Sequence, residues 1–303
     1  MLSKALGVAG RLLIIAGVVI LGFVAYQLWG TGLEESRQQD QLLEEYAGQL
    51  GLDAEVDLAE VASGAQSGVP PAPAEGEPAA IIEIPRIDLS RVVVEGTSRE
   101  DLKKGPGHYI GTPFPGQPGN VGVAGHRTTY GAPFNRIDEL QPGDEVILSS
   151  SQGRFTYRVI PAPQTPSQAW YAVSPSQTEV LDDFGDNRVT LTACHPKYSA
   201  RQRIIVHAVL EEPAVEPSPL PTEAPEVVSA AVADDFDEGL GSTPEELPVA
   251  LGFGFAAAAL ALGAWLLARN FKHAWVIWLV ATPLILVLVW NGYVHMDRYL
   301  PAI

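Results

Sequence analysis

No disulfide can form within this chain, because its 303 residues contain a single cysteine, Cys194. Basic residues are scarce as well: 19 Lys and Arg stand against 36 Asp and Glu, a formal charge of −17. A nucleic-acid-binding protein needs a basic face, so that class of partner is excluded. His, Cys and acidic residues do not converge at metal-ligand spacing, and neither a metal nor a cofactor is expected.

What the chain has in abundance is uncharged apolar length. Leu12–Leu33, Leu247–Ala268 and Ala274–Val294 each run for more than 20 residues without a charge. About 20 apolar residues suffice for a helix to cross a bilayer. The first run is too long for a cleaved signal and "FVAYQLWG" offers no cleavage site, so it reads as an uncleaved anchor. The last two runs are separated only by "RNFKH" and form a hairpin. Cytoplasmic flanks hold the basic residues. Lys4, Arg11, Arg269 and Lys272 therefore belong inside, and residues 34–246 and the tail "MDRYLPAI" outside.

The acidity sits between the anchors and a compact middle. Residues 80–212 hold 13 Lys/Arg and 15 Asp/Glu, whereas 213–248 hold nine acids and no base. Acidic, Pro-rich stretches such as "EPAVEPSPLPTEAPEVV" cannot bury enough apolar surface to fold alone. The expected organisation is an anchor (1–33), an acidic stalk and linker (34–79), one folded domain (80–212), an acidic Pro-rich linker (213–246) and a C-terminal hairpin with a short tail (247–303). Within the stalk, "EESRQQDQLLEEYAGQL" has helical composition and reads as a solvated, charged helix.

Inside 80–212, short Val/Ile-rich runs alternate with turn residues: "AIIEIPRI", "RVVVEG", "NVGVAGH", "DEVILSS", "RFTYRVIP", "RVTLTAC" and "RIIVHAVL". Seven or eight short strands in this length predict an all-β barrel. "REDLKKG" and "SQTEVLDDF" are the candidate short helices.

Cys194 closes the run "VTLTAC". A free cysteine is most often a small buried hydrophobe. A sole cysteine outside the membrane is instead reactive or intermolecular, and this one has basic neighbours that favour a thiolate. Strand alternation puts Thr190, Thr192 and Cys194 on one face and Val189, Leu191 and Ala193 on the other. A nucleophilic thiol needs a proton-handling partner. His273 and His295 border the apolar runs, His195 points away from its neighbour Cys194, and His207 lies in a strand. His126, ending "NVGVAGH" at a strand-to-loop junction, leads by position. His108, in "GPGHYIGTPFPG", remains open.

"TLTACHPKYSARQR" resembles the TLxTC…R signature of sortases, the cell-surface cysteine transpeptidases. "GPGHYIGTPFPGQPGNVGVAGHR" resembles the segment carrying their histidine. The resemblance covers 80–212, and "AGHRTTYGAPFNRI" is most similar to class E, the housekeeping type of actinobacteria. It implies a closed eight-stranded sortase-type β-barrel with short helices, beside three transmembrane helices. It implies Cys194 as nucleophile, His126 as acid–base residue and Arg203 as the arginine. Thr192 and Ala193 fall on the substrate side, Ala193 departing from the family's usual Thr; Tyr130, which closes the loop after His126, is either a substrate-side residue or a loop aromatic packed on the barrel. Lys197 is expected to help Arg203 favour the thiolate.

The implied reaction is cleavage of an LPxTG- or LAxTG-like C-terminal sorting signal between Thr and Gly, through a thioester. The partners are secreted proteins bearing that signal, a lipid-linked cell-wall precursor amine and membrane lipid. The implied place is the cell membrane, with the catalytic domain extracellular. A pilus-assembling sortase would differ only in using a pilin Lys amine. A non-catalytic surface module would carry an inert thiol. An L,D-transpeptidase-like enzyme would want a Ser/Thr-His-Gly-Cys run, which "TLTAC" is not.

Overall fold

The computed structural model describes residues 2–51, 72–217 and 244–300. Most of the two linkers, residues 52–71 and 218–243, lies outside the described residues. In chain order the elements are α1 (Leu2–Ala25), a π turn (Tyr26–Gly30), α2 (Thr31–Gln49), β1 (Pro78–Ile84) and β2 (Leu89–Glu95). Then follow α3 (Arg99–Leu102), β3 (Gly107–His108), β4 (Asn120–Ala124), β5 (Glu145–Ser150), β6 (Gly153–Val159) and β7 (Trp170–Val173). The chain ends with β8 (Arg188–His195), β9 (Gln202–Leu210), α4 (Glu246–Ala268) and α5 (Ala274–Tyr299).

Two units can be distinguished, one formed by the chain up to Gln27 with the C-terminal helices, the other beginning at Leu28 and holding the strands. In the first, α4 and α5 pack as a hairpin. Tyr26 meets the Trp290 ring at 4.9 Å, and Gln27 Nε2 donates to Asp297 Oδ1 at 2.9 Å. Among the described residues three helices, Leu13–Gln49, Glu246–Ala268 and Ala274–Tyr299, are long and apolar enough to cross a membrane.

In the second unit eight strands close a barrel in the order β6-β5-β1-β2-β3-β4-β8-β9, with β6 pairing back onto β9. The eight-stranded expectation holds. A ninth strand, β7, stands outside the ring. It takes the first half of the β9 edge (Trp170 opposite Val206, Val173 opposite Arg203), and β6 takes the second half (Tyr157 opposite Leu210). The barrel is mixed: β2–β3 and β4–β8 run parallel, the other pairs antiparallel. Alternation fills the interior with Ile82, Val93, Val121, Leu191, Ile204 and Val206.

The stalk expectation is corrected. α2 is not solvated: Leu42, Tyr46 and Ala47 pack against Ile81, Val92 and Val94 on the outside of β1 and β2. Burying each large side chain contributes about 1.5–3 kcal/mol. This docking also explains why "AAII" and "VVV" are continuous apolar runs rather than alternating ones. Strands buried on both faces lose their polar face, and here the second face lies under a helix. Gln39 fixes the register, accepting from Val92 N–H at 2.8 Å and donating to the Val92 and Lys104 carbonyls.

Candidate active site

β8 and β9 pair antiparallel with Cys194 directly opposite Arg203. The Arg203 Nη1 lies 3.7 Å from the Cys194 Sγ and 3.3 Å from the Ala200 carbonyl, which it also reaches as a donor. On its other side β8 is parallel to β4, Ala124 standing beside Thr192. The Gly125 N–H continues that ladder by donating to the Thr192 carbonyl at 3.0 Å. His126 follows two residues after Ala124 as Cys194 follows two after Thr192, so the loop leaving β4 and the end of β8 emerge at the same end of the barrel. Position 125 must be glycine, because a Cβ there would come within 2.7 Å of the Phe134 ring.

His126 is 4% exposed, and its ring lies 5.3 Å from that of Tyr130, tilted by 32°. The turn that carries Tyr130 is left-handed over three residues, with φ of 48° at Tyr130, 69° at Gly131 and 45° at Ala132. Such backbone costs about 1–3 kcal/mol at each non-glycine residue, so it persists only where surrounding contacts impose it.

The other barrel histidines are held by structural partners. His108 is buried, with Nδ1 2.8 Å from Glu95 Oε2 and Nε2 3.0 Å from the Pro113 carbonyl, and it stacks on Phe114. Burial works against its charge, but the Glu95 carboxylate outweighs it and raises its pKa above the ordinary imidazole value. His207 lies between the hydroxyls of Tyr171 and Thr190, 2.8 Å from each. Burial, helped by Arg188, lowers its pKa to about 4. His195 sits against the Trp170 ring.

The electrostatic expectation for the thiol holds for Arg203 and needs correction for Lys197. Burial pushes the Cys194 pKa up, and the guanidinium groups of Arg203 and Arg127 pull it only part of the way back. Lys197 is exposed and turned toward Asn135 Oδ1, 3.1 Å away, so the second cation beside the sulfur is Arg127.

Arg127 is only 2% exposed. It forms an ion pair with Asp138 at 2.7 Å and donates to the carbonyls of Asn135 (3.1 Å) and Cys194 (3.4 Å). It thereby ties the histidine loop to the end of β8. The signal for it was its place directly after His126, in a run where a charged residue would otherwise sit in solvent.

Thr192 and Ala193, the other substrate-side candidates, lie on β8. Ala193 points into the barrel core, so its departure from Thr alters an inward position. Thr192 is 1% exposed, and its hydroxyl lies 2.9 Å from the Tyr109 hydroxyl. Both are wall residues. Tyr130 is buried beside His126, where it shapes the histidine's surroundings.

A family model described as the sortase domain matches residues 82–211. Sortase SrtE1 of Streptomyces coelicolor is 32% identical over 218 residues, which span 67% of this chain and 56% of that protein. The match thus reaches little more than half of that relative's length. Sortase D of Bacillus subtilis is 29% identical over 192 residues, 61% of this chain and 86% of the relative. Among solved structures, sortase E from Streptomyces avermitilis is 39% identical and aligns with 48% of this chain and 93% of its own, at a TM-score of 0.41.

Proposed function

Because the chain belongs to the sortase family of cysteine transpeptidases, we propose that it cleaves a C-terminal sorting signal and joins the released protein to an amine. The observation that carries this reading is the Arg203 guanidinium 3.7 Å from the Cys194 sulfur; His126, two residues beyond the last β4–β8 pair of Ala124 and Thr192, supports it.

Chemistry starts from a neutral pair. An ordinary thiol titrates near 8.5 and an imidazole near 6.5, so moving the proton between them costs about 2.7 kcal/mol before any help from neighbours. His126 takes the thiol proton as the sulfur adds to the Thr carbonyl of an LPxTG- or LAxTG-like motif. Arg203 donates to the oxyanion that forms; one such donor is typically worth about 2.7–4 kcal/mol. Collapse of the tetrahedral adduct breaks the Thr–Gly bond, and His126 passes its proton to the departing Gly amine. A thioester between Cys194 and the Thr carbonyl remains. An incoming amine, on a lipid-linked cell-wall precursor, then adds to the thioester while neutral His126 accepts its proton. The adduct expels the Cys194 sulfur, which recovers the proton.

The substrates in this reading are secreted proteins bearing the signal, and the enzyme resides in the cell membrane. Lys4 and Arg11 before the first apolar helix, with Arg269 and Lys272 between the last two, support an orientation that puts 34–246 outside.

Incubation of the purified chain with a panel of sorting-signal peptides tests the reaction. Intact-mass measurement should find the acyl group on Cys194, transfer to added amines, and loss of both in Cys194→Ala. Turnover that persists in Cys194→Ala, or no adduct with any peptide of either motif, refutes it.

A further inference from the structure

The helix that precedes the barrel reaches the histidine loop. Along α2 the buried residues Thr31, Glu35, Gln39, Leu42 and Tyr46 recur at four, four, three and four positions, one stripe of a helix. The lower part of this stripe, Leu42 and Tyr46, is apolar and holds the helix on β1 and β2. The upper part is polar yet equally buried, Thr31 and Glu35 being 1% exposed each. Polar groups are buried only where they meet partners, and those partners lead to the loop between β4 and Phe134.

Thr31 Oγ1 accepts from the Tyr130 N–H at 3.1 Å. Glu35 pairs with Arg91 of β2 at 2.8 Å, and its carboxylate fills the space over Gly131. A Cβ at position 131 would overlap that carboxylate, and the φ of 69° there already calls for glycine. The two residues of α2 thus grip the left-handed turn at Tyr130 and Gly131, the stretch least able to keep its conformation unaided. Lys103 closes the other side, its Nζ 5.9 Å from the Tyr130 ring centre. What the turn presents inward is that ring, packed against the imidazole of His126.

We propose that Thr31 and Glu35 are positioning residues for His126, acting through the Tyr130–Ala132 turn, so that the helix leading into the barrel forms part of the catalytic apparatus. Under the sortase reading, the turn sets the imidazole orientation needed to receive the thiol proton. Releasing the turn slows the acyl-forming step while leaving peptide binding in place. The grip itself is a property of the fold and holds whatever the substrate.

The test compares Thr31→Val, which keeps the shape and removes the acceptor, with Thr31→Ser, which keeps the acceptor. Both are made in the full chain in detergent micelles. Amide hydrogen exchange over 126–134 should quicken about five- to tenfold in Thr31→Val, the effect of one lost hydrogen bond. Exchange in β1, β2 and the rest of α2 should stay unchanged. With a cleaved peptide, kcat should fall by a similar or larger factor while KM stays within about twofold, and Thr31→Ser should track the parent. Unchanged loop exchange in Thr31→Val overturns the proposal. Faster exchange spread over the whole barrel does so too, because Thr31 would then be a plain stability residue. Normal kcat with a loosened loop removes the link to His126 and equally overturns it. If the parent chain cleaves no peptide, the sortase reading fails separately, and the exchange measurement still decides whether α2 holds the turn.

Discussion

Replacing Arg127 by methionine separates the two tasks of one guanidinium. The side chain is 2% exposed and spans Asp138, the Asn135 carbonyl and the Cys194 carbonyl, while its own carbonyl accepts from Asn135 Nδ2 at 2.8 Å. Removing one member of a buried ion pair typically costs about 3–5 kcal/mol. The Asp138 side chain is 36% exposed and regains water, which discounts the loss to about 2–4 kcal/mol. A domain of this size loses roughly 2–4 °C in Tm per kcal/mol, so Arg127→Met should melt about 5–15 °C below the parent. Differential scanning calorimetry of parent and variant reads this. The second task is electrostatic. With the guanidinium gone, the Cys194 titration moves further upward, and alkylation by iodoacetamide at a fixed mildly alkaline pH slows. Asp138→Asn keeps the guanidinium and so should weaken the fold without slowing alkylation to the same degree. If Arg127→Met melts within about 2 °C of the parent and alkylates at the parent's rate, Arg127 is neither a tie nor a field source, and the reasoning from its burial is wrong.

Two histidines should give opposite pH signatures. His207 is held neutral, with a folded pKa of about 4 against an ordinary 6.5. Its contribution, about 3 kcal/mol, is present above pH 6.5 and lost as pH falls toward 4; His207→Gln should flatten the denaturant-midpoint profile across that window, and an unchanged acid slope refutes the assignment. His108 has a raised folded pKa, so its contribution is complete below pH 6.5 and lost as pH rises through the folded value. The gap between the parent and His108→Gln should therefore shrink at alkaline pH; a gap that widens contradicts the Glu95 pairing. For topology, a periplasm- or exterior-dependent reporter in 213–246 should be active, and one in the Arg269–His273 loop should be silent. The reverse pattern would place Cys194 in a reducing compartment.

How far the sequence could be read depended on whether a residue's partners are local. Alternation within "VTLTAC" sorted Val189, Leu191 and Ala193 inward and Thr190, Thr192 and Cys194 to the other face, because side chains on a strand alternate without reference to anything distant. The docking of α2 was invisible for the opposite reason. Its upper stripe is Thr31, Glu35 and Gln39, which carry no hydrophobic signal and are buried only because Tyr130, Arg91 and Val92 lie opposite. The runs "AAII" and "VVV" held the complementary clue, being too continuous for strands with one wet face. Lys197 is near Cys194 in sequence and so drew the expectation of a second cation, whereas Arg127 is distant in sequence and reaches the Cys194 carbonyl through the pairing of β4 with β8. Strand β3, two residues long, and β7, "WYAV", offered too little pattern to be named.

The parallel pairing of β4 with β8 has a bearing on when the site comes into being. Parallel neighbours cannot be joined by a tight turn, and here the chain lays down β5, β6 and β7 before β8 returns to β4. Contacts so distant along the chain must first overcome the entropy of closing a long loop, which delays them relative to hairpins such as β1–β2 and β5–β6. In a chain emerging from its N-terminus, His126 exists long before Cys194, and Arg203 arrives only with the closing strand. Until β8 returns to β4 the cysteine lacks the histidine loop and its Arg127, and until β9 pairs with β8 it lacks Arg203. Under the sortase reading, chemical competence is thus a late product of assembly, because Arg203 comes to Cys194 only with the last strand pairing.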